Sequence, residues 1–134
     1  MKEAYVVGAG QSDYGAFPEE SYRSLFATAY EAAVASVDGD LDEDLIDEAY
    51  VGTLGVGGRQ LGLSGPAVTE HVGLEGVACT RVENACAASG TALRQAVLAV
   101  RAGAADVALA GGVEVMTDAS GDRTRYWLGV RGET

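Results

Sequence analysis

Cys86 is the side chain in this sequence best placed to act as a nucleophile. It lies within Arg81-Val82-Glu83-Asn84-Ala85-Cys86-Ala87-Ala88-Ser89-Gly90. An apolar run from Gly76 to Val82 leads in, and a small-residue pattern of helical period from Thr91 to Ala102 leads out. The pattern predicts a buried strand that turns into a helix at the cysteine. At such a turn the first N–H groups of the helix lack intrahelical acceptors, and the positive end of the helix dipole favours thiolate over thiol. Ala87, Ala88, Ser89 and Gly90 are small enough to let a substrate or a second backbone approach the sulfur. These residues alone leave a second reading open. Cysteine is among the most buried residue types, and an intracellular one is commonly inert core.

The other chemical candidates are weaker. His71 is the only histidine and falls at the end of a short helical segment, Gly65 to Val72. There it complements a helix C-terminus, and nothing in the sequence places a proton acceptor beside it. Gly8-Ala9-Gly10 after an apolar run invites a dinucleotide reading, but the third glycine of that fingerprint falls at Asp13. Gly55, Gly57 and Gly58 with Arg59 form either a phosphate-holding loop or a plain flexible one; the Lys-Ser/Thr of a P-loop is missing. The acidic run Asp38, Asp40, Asp42, Glu43 and Asp44 lacks the glycine and closing glutamate of a calcium loop, so a solvated connection is expected and no metal site. Arg123 and Arg125 suit either an acidic ligand or solvent. No cofactor-binding residue is identified.

The elements that must position Cys86 follow from periodicity. Glu3–Gly10 reads as a buried strand. Ser21 is an N-cap for a helix whose face carries Tyr22, Leu25, Phe26, Ala29, Ala33 and Val37. Leu41, Leu45 and Ile46 suggest a short helical turn. Strands are expected over Glu48–Leu54, Val77–Val82 and Asp106–Gly112. The helix after Cys86 presents Leu93, Ala96, Val97 and Val100 as its core face and ends at Gly103. Cys79, within a strand, is a small core residue. Alternating strands and helices predict an α/β fold with a mainly parallel sheet.

Three stretches resemble one family. Asn84-Ala85-Cys86-Ala87-Ala88-Ser89-Gly90-Thr91-Ala92-Leu93 is similar to the nucleophile segment of thiolases, closest to archaeal acetyl-CoA acetyltransferases and sterol-carrier-protein thiolases. Val6–Gly15 resembles the family's first strand and turn, and Ala110–Thr117 its Gly-Gly-x-Glu-x-Met segment. One departure is local: Ser89 and Gly90 stand in the opposite order to many relatives. The resemblance implies a thiolase-like N-terminal half of the first βαβαβ-type domain over residues 1–117, with a loop-domain excursion beginning over 118–134. It implies Cys86 as the residue acylated in forming or cleaving 3-ketoacyl-CoA, with acyl-CoA and acetyl-CoA as substrates and no bound cofactor. The family's activating histidine, its second histidine or asparagine and its second cysteine belong to segments absent from this sequence. The expectation is therefore an N-terminal fragment without turnover alone. Other condensing enzymes of the superfamily, hydroxymethylglutaryl-CoA synthase or ketoacyl synthase, are the alternative, with a non-catalytic partner-binding subunit behind them. A homodimer or larger homo-oligomer is implied, and a partner protein is a further expectation.

Composition sets the outer limits. The chain has 134 residues, is 48% hydrophobic and 7% aromatic, and carries 19 glycines, as suits one small, tightly packed α/β domain. A net charge of −11 argues against nucleic acid and anionic membranes as partners. Lys2 is the only lysine, against eight arginines and 20 acids. Adaptation to a high-salt cytoplasm is the favoured reading of that skew, with drift in codon usage as the alternative. Two cysteines, a strand and a helix start apart, suggest thiols in a reducing compartment. Neither a signal peptide nor a spanning segment is recognisable, and a soluble cytoplasmic protein is expected.

Overall fold

The computed structural model describes residues 2–55 and 62–130; Gly57, Gly58 and Arg59 of the glycine loop, and Arg131, lie outside them. The elements are α1 (Tyr22–Ala35), a one-turn 3-10 helix (Glu43–Leu45), β1 (Ile46–Gly52), α2 (Ser64–His71), β2 (Ala78–Val82), a second one-turn 3-10 helix (Ala85–Ala87), α3 (Ala88–Ala102), β3 (Val107–Gly112) and α4 (Gly121–Val130). Among the described residues the sheet has the order β2-β1-β3. Both pairings are parallel, with Gly52 opposite Val82 on one side and Gly112 on the other. This is the α/β architecture that the alternating pattern predicts.

Local chemistry fixes the element ends. The Ser21 hydroxyl accepts the Ser24 N–H at 3.1 Å, and the Ser24 hydroxyl accepts the Ser21 N–H at 2.9 Å, a reciprocal cap at the start of α1. Asp42 caps the acidic connection through its side chain, 3.2 Å from the Asp44 N–H. Gly103 ends α3 at φ 76°, the left-handed conformation a glycine adopts freely.

Helices lie on both faces of the sheet. On one, Phe26 and Tyr30 of α1 and Val68 of α2 pack with Ile46 and Val51 of β1. On the other lies α3. Side chains alternate along a strand, so Gly52, next to Val51, faces α3, where an added Cβ would come within 2.5 Å of the Ser89 nitrogen. Gly111 and Gly112 of β3 divide in the same way: a Cβ on the first would meet Phe26, and on the second Ser89.

Two expectations are corrected. Of the expected core face of α3, Ala96 is buried but Leu93, Val97 and Val100 are not; the buried residues are Ala88, Ala92, Ala96 and Ala99. Helix and sheet approach so closely at Gly52 and Gly112 that only methyl groups fit between them, and Leu93 is 49% exposed. The second correction is Glu3–Gly10, which forms no strand and leaves Tyr5, Val6 and Val7 exposed. A strand needs a ladder partner about 4.8 Å away. Here an apolar groove of about 390 Å³ separates the segment from β3. The segment instead lies on α1, where Gly10 sits so close that a Cβ would come within 2.4 Å of the Ala29 oxygen.

Candidate active site

Cys86 stands at the C-terminal end of the sheet, between β2 and α3. The chain leaves β2 at Val82, whose carbonyl accepts the Thr53 N–H at 3.1 Å. It then turns within Glu83, Asn84 and Ala85. Ala85 has φ +46°, in the left-handed region. Its N–H donates to the Glu83 carboxylate at 2.6 Å. The Asn84 side-chain amide donates to the Thr91 hydroxyl at 3.0 Å, and that hydroxyl donates to the Ala87 carbonyl at 3.0 Å. Cys86 is exposed, in the middle of the single 3-10 turn that leads into α3.

The helix end beneath it has no side-chain cap, and the Glu83 carboxylate sits on the Ala85 N–H just before it. The N-cap position is Ala87, and no acidic residue occupies the first turn of α3. Within the first turn of α3 that leaves the free N–H groups open to a developing oxyanion. Ser89 explains part of the local packing. A Cβ on Gly112 would lie 1.8 Å from the Ser89 hydroxyl oxygen, so this hydroxyl fills the space the glycine leaves. Gly90, by contrast, has open space around it. The reversed Ser-Gly order therefore puts the serine, not the glycine, against the sheet.

A carboxylate that the sequence did not single out organises the exit of β1. Glu114 Oε2 accepts from the Thr53 hydroxyl at 3.0 Å, the Leu54 N–H at 2.8 Å and the Gly55 N–H at 3.2 Å. Arg81 donates to the Leu54 carbonyl at 3.1 Å, so the same residue is held from both sides. Arg81 Nε is buried and has no hydrogen-bond partner among the described residues. The available signal was Glu114 two residues beyond Gly111-Gly112, where β3 and β1 end side by side.

The remaining candidates lie elsewhere. His71 ends α2, which precedes β2, whereas Cys86 follows β2. The five-residue strand between them spans roughly 16 Å at ~3.3 Å per residue, so the imidazole is at the wrong end of the sheet to serve the sulfur. Cys79, in β2, is half-buried, and burial pushes its thiol up from the ordinary value, partly offset by a hydrogen bond with Thr69. Cys79 and Cys86 are both thiols. Arg123 stacks over Trp127 at 5.3 Å, and Arg125 pairs with Asp122 at 3.7 Å on the exposed surface of α4. Among the described residues no helix is long and apolar enough to cross a membrane.

Comparison with known proteins covers most of the chain. The family model for the thiolase N-terminal domain matches residues 4–129. An acetyl-CoA acetyltransferase of Methanocaldococcus jannaschii is 45% identical over 121 residues, which is 88% of this chain and 30% of that protein. An acetyl-CoA acetyltransferase of Methanothermobacter thermautotrophicus is 35% identical over 120 residues, again 88% of this chain and 30% of its own length. A pikromycin polyketide synthase component of Streptomyces venezuelae is 47% identical over 75 residues, 56% of this chain and 2% of that protein. The chain thus spans 30% of the length of the two curated acetyltransferases it matches.

Proposed function

This chain belongs to the thiolase family, in its N-terminal domain, and from that premise we propose that it carries the nucleophile of an acyl-CoA acyltransferase. The reaction forms or cleaves 3-ketoacyl-CoA through a thioester on Cys86. The Cys86 thiolate attacks the carbonyl carbon of an acyl-CoA. The carbon–sulfur bond to coenzyme A breaks, coenzyme A leaves as a thiolate and takes up a proton, and the acyl group stays on Cys86. A second acetyl-CoA, deprotonated at its α-carbon, then attacks that thioester and releases Cys86. Degradation runs the same steps backwards.

The observation that carries this reading is the place of Cys86: exposed, within the family's segment, at a helix N-terminus free of acidic first-turn residues. That placement leaves the sulfur open to an incoming acyl carbon, and the Cys86 N–H is a candidate donor to the thioester oxygen. The substrates are acyl-CoA and acetyl-CoA, with no bound cofactor, in a cytoplasmic homo-oligomer of two or more copies, with a partner protein as a further expectation. Residues 118–134 begin the excursion that contributes to the coenzyme A cleft. By the family resemblance the histidine that activates Cys86 belongs to a later segment than these 134 residues, and His71 is at the far end of β2.

The polyketide synthase match favours a second reading, a carbon-chain-condensing enzyme of the same superfamily. It spans 56% of the chain, against 88% for each acetyltransferase, so the thiolase reading ranks first. The test is a thiolysis assay on the native polypeptide that carries this sequence, with acetoacetyl-CoA and coenzyme A. Loss of acetoacetyl-CoA that Cys86→Ser abolishes is expected, with no turnover by the 134-residue chain alone. Full activity in Cys86→Ser would refute the assignment.

A further inference from the structure

The turn that carries Cys86 stores backbone strain. Ala85 and Leu63 are the non-glycine residues with positive φ among those described, and Ala85 is the one next to the nucleophile. For an alanine the left-handed conformation is disfavoured by roughly five- to thirtyfold, through the clash of its Cβ with the following carbonyl. Something must offset that cost, or the chain relaxes and Cys86 leaves the helix start.

The offsetting contact is the Glu83 carboxylate on the Ala85 N–H at 2.6 Å, a short hydrogen bond to a charged acceptor and so a strong one. It closes across Asn84, whose own side chain reaches forward to Thr91 on the first turn of α3. Asn84 therefore ties the turn to the helix, while Glu83 holds the strained residue itself. We propose that Glu83 is a positioning residue: its carboxylate holds Ala85 left-handed and thereby sets Cys86 at the N-terminus of α3. The inference rests on Cys86 being the reactive thiol of the proposed acyl transfer. It adds a residue that acts through the backbone and touches no substrate.

The test is the rate at which iodoacetamide labels Cys86, followed by mass spectrometry of its peptide, in Glu83→Ala, Glu83→Gln, Ala85→Gly and the double variant Glu83→Ala/Ala85→Gly. Half-buried Cys79 serves in each sample as the gauge of folding. Glu83→Gln keeps an acceptor oxygen and removes the charge, so it isolates geometry from electrostatics. Labelling of Glu83→Ala is expected to be about fivefold slower than that of Glu83→Gln, the lower bound set by the left-handed penalty. Ala85→Gly removes that penalty, so the double variant is expected to return to within about twofold of Glu83→Gln. Equal rates in Glu83→Ala and Glu83→Gln, or a double variant as slow as Glu83→Ala, would overturn the proposal. If Glu83→Ala unfolds and exposes Cys79, a folded double variant supports the proposal and an unfolded one overturns it. Iodoacetamide needs no acyl-CoA. A suppressed Glu83→Ala defect in a protein that never becomes acylated would therefore refute the acyltransferase reading while leaving the role of Glu83 intact.

Discussion

At Gly52 the space for a side chain is already taken by main chain. A Cβ there would lie 2.5 Å from the Ser89 nitrogen and 2.6 Å from the Ala88 carbonyl carbon, atoms that cannot swing aside. Gly112 differs, because the nearest atom, at 1.8 Å, is the end of the Ser89 side chain. Gly52→Ala is therefore predicted to cost about 3 kcal/mol, the upper end for overpacking, and Gly112→Ala about 1–2 kcal/mol. Adding Ser89→Gly should recover part of the second loss and none of the first. Urea denaturation of the four variants decides it, and equal losses at the two glycines would contradict the packing described. A second residue-scale expectation concerns pH. Asp47 accepts the Asp106 and Val107 N–H groups, at 2.7 and 3.2 Å, and these bonds hold its carboxyl below the ordinary value of 3.8. The stabilisation is complete above the unfolded value and is lost as pH falls through the lowered native one. Asp47→Asn should lower the melting temperature at pH 7, and the gap to the parent should close as pH drops below 3.8; a constant gap would contradict it.

Among the elements, α3 best separates what the sequence could reveal from what it could not. Its start, its end at Gly103 and the place of Cys86 before it follow from periodicity and cap chemistry. Its buried face did not follow, because hydrophobicity favours Leu93, Val97 and Val100 over alanine, and only the distance to Gly52 and Gly112 selects the alanines. Ala92 is fully buried, whereas Leu98 is 40% exposed. Ala92→Leu should cost about 1–3 kcal/mol by overpacking, and Leu98→Gln less than about 0.5 kcal/mol. Thermal melts test the pair; the reverse ranking would contradict the alanine face. The first segment failed for a different reason. Its apolar content fits a strand, but pairing is a property of neighbours, and β3 lies across the groove. Glu114 was legible only as part of a motif, since its three bonds to the β1 exit join residues about sixty positions apart.

On the scale of the whole molecule, a parallel sheet gathers three strand exits at one end. The turn at Cys86, the β1 exit held by Glu114 and the segment after β3 all arise there, at the C-terminal edge where α/β sheets commonly place their sites. His71 is left at the opposite end. The central claim is that Cys86 accepts the acyl group. Its most direct test is to quench the native polypeptide carrying this sequence after brief exposure to acetyl-CoA, digest it, and map the acetyl group by mass spectrometry. One acetyl group on the Cys86 peptide, removed by added coenzyme A and absent from Cys86→Ser, is the predicted result. A protein that turns over acetoacetyl-CoA while Cys86 stays unmodified, or that carries the acetyl group on another residue, would contradict the account.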